Sequence, residues 1–131
     1  MVTIAPAQPE DVEAIAHLLE ELDDFYGGTT VETSDEQHAQ IHEALFADGS
    51  IHALLAWDGA TLVGLASYSF LWPATGLTRS LFLKELYVVE SHRRYGVGKL
   101  LMARLHEEAE QRRCSRIEWM TETDNAAAQQ F

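Results

Sequence analysis

The sequence predicts a single mixed α/β (α+β) domain, a mostly antiparallel sheet with helices packed on it. Three observations lead there. The segments read in the order strand, helix, helix, three strands, helix, strand, with a further helix starting at Asp124-Asn125. Asp58-Gly59 between two of the strands is a strong hairpin signal and sets an antiparallel pairing. The strand–helix–strand run over 81–121 is long enough for one right-handed parallel crossover.

Each segment has a local reason. Val2 to Ala5 is a short β-type run. Pro9-Glu10-Asp11 opens a helix, with proline and acids where a helix N-terminus accepts them. Val12, Ile15, Leu18, Leu19 and Leu22 follow at helical spacing, and Gly27-Gly28 stops the run. Thr33-Ser34-Asp35-Glu36 caps a shorter helix with Ile41, Leu45 and Phe46 on its apolar face. Ile51 to Trp57 and Thr61 to Phe70 are the hairpin strands, and Pro73 to Gly76 is a loop. Leu81 to Val89 is a strand that runs into a glycine-bearing turn, Arg93 to Gly98. A helix follows from about Gly98 to Arg113, with Val97, Leu101 and Leu105 on one face, widened by Leu100, Met102 and Ala103. Ile117 to Thr121 is the last strand, and Asp124-Asn125 caps the helix that begins there.

Composition narrows the function. A chain of 131 residues suits one domain with one core, here taken as 1–131. No apolar run reaches the roughly 18 residues a membrane span needs, and the N-terminus has no basic stretch followed by an apolar core. The single cysteine, Cys114, cannot build a disulfide framework, which fits a reducing, cytoplasmic setting. It stands at a helix-to-strand junction and reads as structural. A net charge of −12 argues against a nucleic-acid partner. The distribution says more than the sum. Residues 1–78 hold thirteen acids and no Lys or Arg, whereas all nine cations lie between Arg79 and Arg116. The acidic half suits a cationic ligand, or simply keeps the protein soluble. The cationic segment suits an anionic one.

That segment holds the informative motif. A strand ending Leu86-Tyr87-Val88 leads into Arg93-Arg94-Tyr95-Gly96-Val97-Gly98-Lys99, which opens a helix. A helix start offers unpaired N–H groups and the positive end of a dipole. Glycines let a ligand approach the backbone. Together they make a site for an anion such as a pyrophosphate, to which Arg93, Arg94 and Lys99 add full charge. Neither a P-loop nor a complete Gly-x-Gly-x-x-Gly is present.

Arg93-x-x-Gly96-x-Gly98 resembles the acetyl-CoA signature of the GNAT superfamily of N-acetyltransferases: Gln or Arg, two residues, Gly, one residue, Gly or Ala. Leu86-Tyr87-Val88 looks like that family's fourth strand. Asp124-Asn125 with Ala128 resembles its later Asn-x-x-Ala segment. The resemblance covers the whole chain in element order and is specific in sequence over 81–131. It implies a mostly antiparallel central sheet with helices on both faces, and acetyl-CoA as co-substrate. Main-chain groups of Arg94, Tyr95, Gly96, Val97, Gly98 and Lys99 would hold the pyrophosphate. The pantetheine arm would lie along Leu86, Tyr87 and Val88, with Asn125 nearby. A homodimer is also implied. The expected activity is transfer of an acetyl group to a primary amine of a small, cationic molecule by direct attack. A protein N-terminus or lysine as acceptor, or a binding module without catalysis, are the alternatives.

Acetyl transfer needs a base for the amine proton, an N–H for the oxyanion and an acid for the thiolate. Glu85, on the strand beside the implied thioester, is the candidate base, with Glu118 and Glu122 behind it. Spermidine/spermine N-acetyltransferases carry a carboxylate pair where this chain has Lys84-Glu85. Strand alternation keeps those two side chains on opposite faces. The family's usual acid, a tyrosine, would fall one residue beyond Phe131, and its last two strands would follow. The sequence is therefore expected to be an incomplete copy of a longer protein. Tyr68 and Tyr87 are substitutes for that tyrosine or, more simply, half-buried strand aromatics. Asp23, Asp24 and Tyr26 end the first helix, where acids oppose the dipole, and Trp72-Pro73 could wall a cleft. Asp24, Tyr26 and Trp72 are the candidate acceptor-binding residues. His38 and His42 have a metal-compatible spacing but no third ligand, so no metal is expected.

Overall fold

A computed structural model describes residues 1–27 and 34–120. The expectations resting on Gly28, Thr33, Glu122, Asp124, Asn125, Ala128 and Phe131 lie outside them. Five strands form one sheet in sequence order: β1 (Val2–Pro6), β2 (His52–Asp58), β3 (Thr61–Leu71), β4 (Arg79–Val88) and β5 (Cys114–Trp119). The first three pairings are antiparallel and β4–β5 is parallel. Pro6 is tolerated because β1 is an edge strand among the described residues.

Two faces of the sheet carry two cores. Helix α1 (Val12–Phe25) buries Val12, Ile15, Ala16, Leu18 and Leu22. Ile15, Leu18 and Leu22 pack on Leu55, Leu65 and Tyr87, flanked by α2 (Ser34–His42) and the wider π-type turn Glu43–Ala47. Helix α3 (Val97–Gln111) lies on the opposite face. Its Val97, Leu101, Leu105 and Ala109 meet Leu54, Ala56, Ala66, Leu81, Leu83 and Val88. The apolar face of α3 is narrower than its sequence promises. Met102 is only half-buried, and Leu100 and Ala103 are exposed, because one ridge of the helix rests on the sheet.

Three bulges adjust the sheet. Register shifts between Ser67↔Glu85 and Tyr68↔Leu83 leave Lys84 as one extra residue in β4. Leu81 and Leu83 before it, and Leu86 and Val88 after it, consequently all face α3. Glu85 and Tyr87 therefore face α1. Simple alternation does not hold across this step, so the expected opposition of Lys84 and Glu85 is not imposed by the strand. Similar shifts make Val63 extra in β3 and Ser115 extra in β5. The last of these accompanies an early start to β5, at Cys114, where Arg113 closes α3 at φ 57 without a glycine.

Candidate active site

Three elements converge on the end of β4. The first is the open edge of the strand. Pairing with β5 ends at Leu83↔Trp119, so among the described residues no strand covers that edge from Lys84 to Val88. Val89 N–H donates to the Val63 carbonyl at 2.9 Å on the β3 side. By alternation, Leu86 and Val88 turn their main-chain groups to the open edge.

The second element is the turn into α3. Arg94 and Gly96 both take left-handed backbone, at φ 69 and φ 85. Gly96 is the N-cap of α3 without a side-chain cap, so the N–H groups of the first helical turn, Val97 to Lys99, have no intrahelical partner. A Cβ at Gly96 would meet no atom within 4 Å, which leaves the approach open. Val97 and Gly98 are buried, while Arg94, Tyr95 and Lys99 are exposed. Gly64 sits beneath: a Cβ there would crowd Ala56, the Tyr87 carbonyl and Val97, each at 3.3 Å. Its hydrogen is what lets the first turn of α3 settle on the sheet.

The third element is the end of α1. Glu85 is half-buried on that face. Burial raises its pKa, Lys84 pulls it down and Asp23 pushes it up again, for a net rise. Tyr87 donates its hydroxyl to Glu21 Oε2 at 3.2 Å. Burial and the Glu21 charge raise the Tyr87 pKa. Arg93 turns inward: its Nε donates to the Val88 carbonyl at 2.8 Å, and its guanidinium lies 4.8 Å from the centre of the Phe25 ring and 5.5 Å from that of Tyr87. Of the three cations expected to face an anion, Arg94 and Lys99 are the two left pointing outward.

Other expected residues lie further off. Asp24 and Tyr26 are exposed at the end of α1, on either side of Phe25, whose ring Arg93 overlies. Trp72 sits at the opposite end of the β3–β4 pair, close to Leu71↔Ser80, with its Nε1 donating to the Leu77 carbonyl. The span from Arg79 to Glu85 along β4 is roughly 20 Å, so Trp72 is not brought to Glu85. Tyr68 faces α3, where burial pushes its pKa up to about 12. Glu118 is paired with Arg116 at 3.1 Å. The Cys114 thiol is raised by burial, which suits a structural role. Among the described residues no group of metal ligands gathers, and no helix is long and apolar enough to cross a membrane.

Sequence reasoning missed Glu21, Phe25 and Ser67, the residue opposite Glu85. It also missed the pair His92 Nε2–Asp58 Oδ2, at 2.9 Å, which ties the hairpin tip to the turn. Helical spacing from Leu22 does place Glu21 and Phe25 four apart on one side of α1, the one signal that could have found them.

The family profile described as "Acetyltransferase (GNAT) family" matches residues 15–131, and the chain belongs to that family. Solved structures share the fold at low identity. A ribosomal-protein-alanine N-acetyltransferase from Brucella melitensis biovar Abortus 2308 is 23% identical over 100% of this chain and 89% of that one, with TM-score 0.81. An aminoglycoside acetyltransferase from an uncultured soil metagenomic sample, in complex with sisomicin, is 14% identical over 99% and 84%, with TM-score 0.85. An aminoglycoside N-acetyltransferase in complex with CoA is 21% identical over 99% and 83%, with TM-score 0.81.

Proposed function

We propose that this protein transfers an acetyl group from acetyl-CoA to a primary amine of a small cationic molecule. The observation that carries the reading is Glu85. Its carboxylate stands where β4 parts from β5, on the α1 face, with a raised pKa beside Asp23. The main-chain edge of Leu86 and Val88 and the N–H groups of Val97, Gly98 and Lys99 suit a pantetheine arm and a pyrophosphate. Arg94 and Lys99 add charge. Acetyl-CoA supplies an acyl group activated as a thioester: a C–N bond forms, the C–S bond breaks and the thiolate leaves. Glu85 accepts the proton that the attacking amine must lose, and its raised pKa makes it the stronger base. Asp23 and Asp24 give the acceptor side negative charge, which draws a cationic amine. The aminoglycoside enzymes of the same fold act on amines of that kind, in support of a small-molecule acceptor.

The test is release of free thiol from acetyl-CoA against a panel of a diamine, spermidine, an aminoglycoside and a peptide with a free N-terminus. Acetylation of one of the small amines is expected. Acetylation of the peptide alone would move the acceptor to protein. CoA binding without turnover of any amine would leave a cofactor-binding module and remove the transferase. The same reading takes the protein as a cytoplasmic homodimer, which sedimentation at micromolar concentration tests.

A further inference from the structure

We infer that Arg93 is a positioning residue that couples the cofactor turn to the end of α1, and that its side chain is not a phosphate ligand. This rests on the acetyl-CoA site proposed above. The guanidinium is already engaged on three sides, by the Val88 carbonyl and by the rings of Phe25 and Tyr87. Swinging it toward a phosphate would break all three contacts. Arg94 and Lys99 have no side-chain partner among the described residues and are the cations that remain for the anion.

The contacts also join parts that are distant in sequence. Phe25 is the last residue of α1 and is 58% exposed, so few other contacts hold it. Its ring meets Tyr26, Tyr87 and Arg93. Tyr87 in turn holds Glu21, one turn earlier on α1. Asp23 and Asp24 lie between those two anchors, and Asp23 is the α1 charge that acts on Glu85. A ligand that steadies Val88 to Gly96 therefore steadies, through Arg93, the stretch of α1 facing the acceptor. Coupling of this kind is reciprocal, so the cofactor tightens amine binding and the amine tightens cofactor binding. The Val88 carbonyl is also withdrawn from the open edge, which leaves Leu86 and the Val88 N–H to receive a pantetheine amide.

Hydrogen exchange of residues 18–27 and calorimetry with free CoA test this on the whole chain. In the unsubstituted protein CoA should slow that exchange several-fold. In Arg93→Gln the segment should exchange faster without CoA and gain no protection with it, while the CoA Kd changes by less than about tenfold. Arg93→Lys, which keeps charge over the rings but lacks the fork, should fall between, and serves if the glutamine variant does not fold. Arg94→Gln should weaken CoA binding and leave α1 exchange as it was. A loss of CoA affinity beyond about 100-fold in Arg93→Gln, with α1 exchange unchanged, would make Arg93 a direct ligand and overturn the inference. So would protection of α1 by CoA that survives the substitution. A protein that binds no CoA at all would overturn the cofactor reading and the coupling together; CoA that binds without touching α1 exchange would overturn the coupling alone.

Discussion

Glu85 is where single-residue chemistry is most sharply defined. Its pKa is raised in the folded protein, chiefly by burial. The folded state then binds its proton more tightly than the unfolded state does. Stability tied to this group is thus fully present below the unfolded value and falls as pH rises through the folded one. Glu85→Gln should leave thermal stability at neutral pH unchanged or higher, while lowering kcat by about 10²–10⁴. It should also abolish the acidic limb of the pH–rate profile. Calorimetric melting and steady-state kinetics on one preparation check both halves. A melting temperature that drops with the rate would mean that the residue is structural. Sequence alone offered Glu85 beside the implied thioester. It offered Lys84 as a neighbour but neither the burial nor Asp23, which reaches Glu85 only through the packing of α1 on β4.

Among the elements, the turn into α3 was the most legible. Glycines, cations and a following apolar repeat are local signals, and the turn stands where they put it. Less legible was what the turn leans on. The inward course of Arg93 depends on Phe25, far away in sequence, and no spacing rule predicts it. The bulge in β4 was invisible for a related reason. It adds one residue to a strand whose propensities are satisfied with or without it. Gly96 gives a direct test of the turn. Its φ of 85 would cost an alanine about 1 kcal/mol, although a Cβ would touch nothing. Gly96→Ala should therefore lower the melting temperature by a few degrees, and Gly96→Trp should abolish CoA binding in calorimetry by filling the open approach. Undiminished binding by the tryptophan variant would place the pyrophosphate elsewhere. Lys84 tests the bulge. Lys84→Ala should fold and keep its activity, since the count of residues is preserved. Deleting Lys84 restores plain alternation, with Leu81, Leu83, Leu86 and Val88 still on the α3 face, so the deletion variant should fold and melt cooperatively by circular dichroism; loss of cooperative melting would mean that the bulge itself holds the strand.

For the whole molecule, the division of charge is the broadest feature. Residues 1–78 hold thirteen acids without one Lys or Arg, and the remaining chain nearly balances its nine cations with eight acids. Helix α1 brings part of the acidic half to the proposed acceptor side, and the turn into α3 brings Arg94 and Lys99 to the proposed cofactor side. The two ligands should respond differently to salt. Raising ionic strength from about 0.01 to 0.15 M shortens the screening length from about 30 to 8 Å. The KM of a cationic amine should rise severalfold over that range. The direct contacts to CoA, being short, should weaken less. An amine KM indifferent to salt would remove the steering role of the acidic half.

The extra residue in β4 has a consequence for how this protein can vary. A scan that replaces each side chain in turn would record position 84 as tolerant, because its side chain is exposed and packs in neither core. A chain lacking that one residue would still present Leu81, Leu83, Leu86 and Val88 to α3 and Glu85 to α1, because plain alternation over the shorter strand gives the same two faces. The length of β4 can thus drift by one residue while Glu85 keeps its face, and a comparison of sequences that slides the gap from Lys84 onto Glu85 would align a shorter relative's carboxylate with the lysine.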